Sequence, residues 1–98
     1  MFKSPFVWHV QIRREVLEEE LERLREVPYS LWRDVVSRPM CKTARGRDDR
    51  TYRVRVTPSW AHNGSEDIRV TVALETRALH RRLLRQSFVI TPENRFRE

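Results

Sequence analysis

The chain has 98 residues, 39% hydrophobic and 35% charged, and a formal net charge of +6. That length suits one domain with a two-layer core, and the apolar content is too high for a disordered chain. The single cysteine, Cys41, excludes an internal disulfide, and with no run approaching the roughly 20 apolar residues needed to span a bilayer, a membrane protein is not expected.

The first segment, 1–12, has two patterns. Ser4-Pro5 can open a helix as a cap and first-turn pair. Phe6, Trp8, Val10 and Ile12, however, alternate with Val7, His9 and Gln11, and an extended lead-in packed on the core is the expectation. His9 interrupts the short apolar run and no small-residue cleavage site follows it. A signal peptide is therefore not expected, and a bacterial-type cytoplasmic protein is.

Residues 13–27 predict an amphipathic helix. Leu17, Leu21 and Leu24 recur at i, i+4 and i+7, Arg14–Glu18 and Glu19–Arg23 offer i,i+4 ion pairs, and Pro28 ends the run. Its glutamates predict a solvated outer face. A short helical turn is expected in 29–36, with Leu31, Trp32, Val35 and Val36 sealing one end of a sheet. A strand follows over 40–45, but neither Met40/Lys42/Ala44 nor Cys41/Thr43/Arg45 forms a clean apolar face, so its register stays open.

The stretch 51–75 predicts a β-hairpin. Tyr52, Val54 and Val56 alternate with Arg53 and Arg55, and Ile68, Val70, Val72 and Leu74 alternate with Arg69, Thr71, Ala73 and Glu75. Opposed residues share a face, so even positions must pair with even ones. A two-residue Asn63-Gly64 turn would violate that parity. A loop over 61–67 satisfies it, pairing Trp60 with Ile68, Val56 with Val72, Val54 with Leu74 and Arg53 with Glu75. Pro58 lacks an N–H and is expected at an edge or a bulge. After Glu75 the basic segment 77–86 reads as a short helix, with a basic loop as the alternative, and a last strand is expected over 87–91.

These elements predict an α+β two-layer domain, with the 13–27 helix packed on a four-stranded, mainly antiparallel sheet. The expected core is Leu17, Leu21, Leu24, Trp32, Val54, Val56, Ile68, Val70, Val72, Leu74 and Phe88.

Chemistry-bearing motifs are sparse. The three histidines are scattered, no metal-ligand spacing occurs, and Asp48-Asp49 beside Gly46 suits a turn that bonds its own backbone. Cys41 has Lys42 beside it but no histidine nearby in sequence. No cofactor and no catalytic residue are predicted. The signal above background is basic: Arg53, Arg55 and Arg69 share the wet hairpin face, while Arg81, Arg82 and Arg85 follow in 77–86. Arginine forks grip carboxylate or phosphate, so a binding module for an acidic protein surface or for RNA is expected, with the sites at Arg53, Arg55, Arg69, Arg81 and Arg82. Tyr52 and Trp60 fall on the opposite face, where they offer no platform for stacking bases. A homodimer through a sheet edge is a further expectation.

The segment GRDDRTYRVRV, Gly46 to Val56, following a Leu-rich helix, resembles the helix-then-sheet order of RelE/ParE-type toxins, small basic proteins with a similar strand. That resemblance implies metal-independent RNA cleavage, with Tyr52, Arg53, His62 and Arg69 as its residues. The chain departs from the family in having one helix and a long loop where two helices and a short turn are usual.

Overall fold

The alternation of 51–75 becomes the centre of an antiparallel sheet. The computed structural model describes residues 5–75 and 84–97, with side chains from Gln11 onward. Its elements are helices α1 (Pro5–Arg25) and α2 (Tyr29–Asp34), then strands β1 (Met40–Arg45), β2 (Thr51–Trp60), β3 (Ile68–Glu75), β4 (Leu84–Ile90) and β5 (Phe96–Arg97). The strands follow one another across the sheet in chain order, every neighbouring pair antiparallel. One main helix on an antiparallel sheet is the α+β two-layer architecture expected, with Phe96–Arg97 added as a fifth, two-residue strand.

The hairpin register follows parity. Trp60 lies opposite Ile68, Val56 opposite Val72, Val54 opposite Leu74 and Arg53 opposite Glu75. The loop is closed by the Ala61 amide donating to the Asp67 carbonyl at 2.9 Å. Asn63-Gly64 still turns the chain inside that loop: Gly64 has φ +78° and the Ser65 amide bonds the His62 carbonyl. β2 continues through Pro58 to Trp60. β1 starts opposite Val56, so beyond that point β2 is paired on one side only, and the missing N–H of Pro58 breaks no ladder on the β1 side. The Pro58 carbonyl accepts from the Ser37 amide at 2.8 Å.

Two of the expected elements are corrected. Residues 5–12 are helical, not extended. Ile12 is fully buried and continues, one turn earlier, the stripe of Val16, Leu17 and Leu21. A period of two and a period of 3.6 coincide over a few residues, and packing on the sheet selects the helix. The second correction concerns 77–86. Leu84, Arg85 and Gln86 belong to β4, which pairs with β3 as far as Leu74–Leu84, so no helix extends through 86. Residues 76–83 lie outside the described part of the chain, and with them Arg81 and Arg82.

The core sits between α1 and the even-numbered sheet positions. Of the expected core, Leu24 is half-buried, while Ile12, Val16, Tyr29, Tyr52 and Ile90 join it. α2 closes one end. Trp32 is buried and stacks edge-on against Phe88 at 6.4 Å, Val35 and Val36 are half-buried, and Leu31 points outward. Tyr29 anchors that helix: its amide donates to Asn94 Oδ1 at 2.8 Å and its hydroxyl to the Glu66 carbonyl at 2.5 Å.

A polar pair settles the register of β1. Met40, Lys42 and Ala44 oppose Val56, Val54 and Tyr52, which turns Lys42 toward α1. There its ammonium meets Glu20 Oε2 at 2.8 Å, and Glu20, although charged, is 1% exposed. Arg23 Nη1 donates to Oε1 of the same carboxyl at 3.1 Å, so Arg23 pairs with Glu20 and not with Glu19 as expected. Oε2 is an ion-pair contact outside hydrogen-bond alignment.

No described helix is long and apolar enough to cross a membrane.

Candidate anion-binding face

With α1 and the core on one side of the sheet, the odd-numbered residues form the other. The register sets them in rows across the strands. Thr43, Arg53 and Glu75 make one row, and Cys41, Arg55, Ala73 and Arg85 the next. Thr57, Thr71 and Ser87 form a hydroxyl row, followed by Ser59, Arg69, Val89 and Arg97. No described helix packs on this face, and Arg53, Arg55, Arg69, Arg85 and Arg97 are all exposed.

Among the described residues, Glu75 and Asp67 are engaged by arginines near the ends of this face. Arg53 Nε lies 3.7 Å from Glu75 Oε2, and Arg97 Nε 3.5 Å from Asp67 Oδ2. Among the described residues Arg55, Arg69 and Arg85 make no ion pair. The face thus presents three uncompensated guanidinium groups, with no carboxylate in the Arg55 row or the hydroxyl row.

Arg53, Arg55 and Arg69 share this face as expected, spread along it. Arg53 is drawn to Glu75, and Arg69 lies two rows from Arg55, roughly 13 Å along the strands. The structure instead places Arg85 two strands from Arg55 with Ala73 between them. In the sequence Arg85 falls in the basic segment 77–86, read as a helix or a loop and not as a strand. Its signal was faint, because Gln86 breaks the apolar alternation of Leu84, Phe88 and Ile90. Arg69 lines a shallow cleft of about 240 Å³ with His62, Asp67, Ser87 and Arg97.

The residues implied by the toxin resemblance fall on two sides. Tyr52 faces α1, 9% exposed, and donates its hydroxyl to Asp48 Oδ2 at 2.6 Å. Burial, then that hydrogen bond, pushes its phenol up to about 12, which holds it neutral. Slight desolvation works against ionisation of Asp48. The bonds from Tyr52 and the Arg50 amide outweigh it, so the carboxyl stays below its usual range. Asp48 also bonds the Arg50 amide at 3.2 Å, the turn role expected of it. Tyr52 therefore belongs to a structural corner, separated by the sheet from Arg53 and Arg69. Among the described residues no three His, Cys, Asp or Glu side chains form a metal-ligand set.

No protein family, curated protein or solved structure matches the chain significantly.

Proposed function

We propose that the chain is a non-enzymatic interaction module whose outer sheet face docks an acidic protein surface. The observation that carries this reading is the set of unpaired guanidinium groups, Arg55, Arg69 and Arg85, on a face that no described helix covers. Like charges on one rigid surface repel, and an anionic partner relieves that repulsion. The strands fix the backbone positions from which these side chains extend, so docking needs no rearrangement of the sheet. Exposed ion pairs contribute about 0.2–1 kcal/mol each, so several must act together, and the complex is sensitive to salt.

The test is fluorescence anisotropy with a labelled oligoglutamate peptide at low ionic strength. Binding should weaken steadily as salt is added. Arg55→Glu/Arg69→Glu should abolish it while leaving the melting temperature close to that of the parent. Binding that survives this change, and is lost instead in Arg81→Ala/Arg82→Ala, would move the site off the sheet face and refute the reading.

A further inference from the structure

We infer that the Arg55–Ala73–Arg85 row is a seat for one phosphomonoester group carried by a protein partner. This rests on the outer face being the docking surface and specifies what that surface recognises. Neighbouring strands lie about 4.8 Å apart, so the backbones of Arg55 and Arg85 stand about 10 Å apart with one strand between them. The residue on that strand is the half-buried Ala73, whose single methyl adds little bulk between the two long side chains. The next row, roughly 6.6 Å further along, offers the hydroxyls of Thr57, Thr71 and Ser87. Glu75, two residues from Ala73 on the same face, is held by Arg53, and Asp67 by Arg97. Among the described residues no acid stands in the Arg55–Ala73–Arg85 row.

Charge and donor count select the ligand. A carboxylate has one charge and two oxygens, which a single guanidinium satisfies with a two-bond fork. The second arginine would then be left over. A phosphomonoester carries about −1.5 to −2 at neutral pH and three acceptor oxygens. That matches two guanidiniums and the Thr71 hydroxyl. A phosphodiester has one charge and two free oxygens, so a nucleic-acid backbone uses the pair no better than a carboxylate does. The strand positions on this face also include no aromatic ring on which a base could stack.

The experiment titrates the full chain, at one low ionic strength, with three labelled peptides of the same acidic sequence differing at a central phosphoserine, aspartate or serine. A labelled RNA duplex is the fourth probe. The phosphoserine peptide should bind roughly tenfold more tightly than the aspartate peptide, as a fork-fitted dianion should. That preference should fall to near unity in Arg85→Lys, which keeps the charge but loses the fork, and in Ala73→Phe, which fills the seat. Both variants should melt like the parent, since position 85 is exposed and aromatic residues suit a strand. Equal binding of the phosphoserine and aspartate peptides, lost in Arg55→Glu, overturns the seat and leaves the docking face standing. Tighter binding of the RNA duplex than of any peptide overturns the protein partner. Absence of binding by all four probes overturns both the seat and the docking reading.

Discussion

Lys42→Met should cost far more than the loss of a surface charge ordinarily does. The substitution keeps the length and apolar stem of the side chain but leaves Glu20, 1% exposed, with Arg23 as its one counter-charge among the contacts of this cluster. Arg23 is itself 65% exposed and reaches the other carboxylate oxygen. Breaking a fully buried pair costs about 3–5 kcal/mol because the surviving charge stays desolvated. Lys42 is 43% exposed, and water at that end screens the pair, so roughly 2–3 kcal/mol is the expected loss. For a domain this size that lowers the melting temperature by roughly 10–20 °C. Glu20→Leu/Lys42→Met should recover most of it, since a well-packed apolar pair often replaces a buried ion pair at no cost. Urea denaturation of the four proteins in a double-mutant cycle measures the coupling directly. A Lys42→Met loss below about 0.5 kcal/mol, within the range of an ordinary surface change, would show that the pair does not hold β1 against α1.

Two further perturbations address the corner at Asp48. The phenol of Tyr52 is raised from 10.0 to about 12, so its neutral form is favoured by folding. That contribution is fully present below pH 10 and is lost as pH rises through 12, at about 1.4 kcal/mol per unit over that window. Urea titrations between pH 9 and pH 11.5 should show the decline, and Tyr52→Phe should flatten it while starting from a lower stability. A Cβ at Gly46 would lie 2.7 Å from Asp48 Oδ1, 2.8 Å from Tyr52 Cε2 and 3.1 Å from Ile12 Cγ2. Gly46→Ala should therefore cost about 1–3 kcal/mol by overpacking. Gly64→Ala meets open space and pays only for its positive φ, about 1 kcal/mol. A Gly46→Ala loss below about 0.5 kcal/mol in urea denaturation would show that the 46–52 corner has room for the added methyl.

How much was legible depended on how local the deciding interaction was. The hairpin register followed from alternation and parity alone, because a one-residue slip would have put arginines into the core. The length of the 61–67 loop followed from the same constraint, against the pull of Asn63-Gly64. The turn role of Asp48 and the Arg53–Glu75 pair needed only neighbours in sequence or in a register already known. The wet face, with Arg53, Arg55 and Arg69 on it, came with the hairpin.

The remaining features rest on contacts between segments far apart in sequence. Nothing near Lys42 shows that a buried carboxylate waits on α1, so the register of β1 stayed open until Glu20 supplied a partner for its charge. Residues 5–12 carry both periods, and the sheet beneath Ile12 decides for the helix. Arg85 resembles its basic neighbours until pairing with Ala73 sets it on the outer face. Within the candidate site, the sequence by itself determined that arginines line one side of a sheet. Which of them stand free, and across what gap, was decided by tertiary pairing, because a cation's availability depends on whether the chain brings an acid within reach.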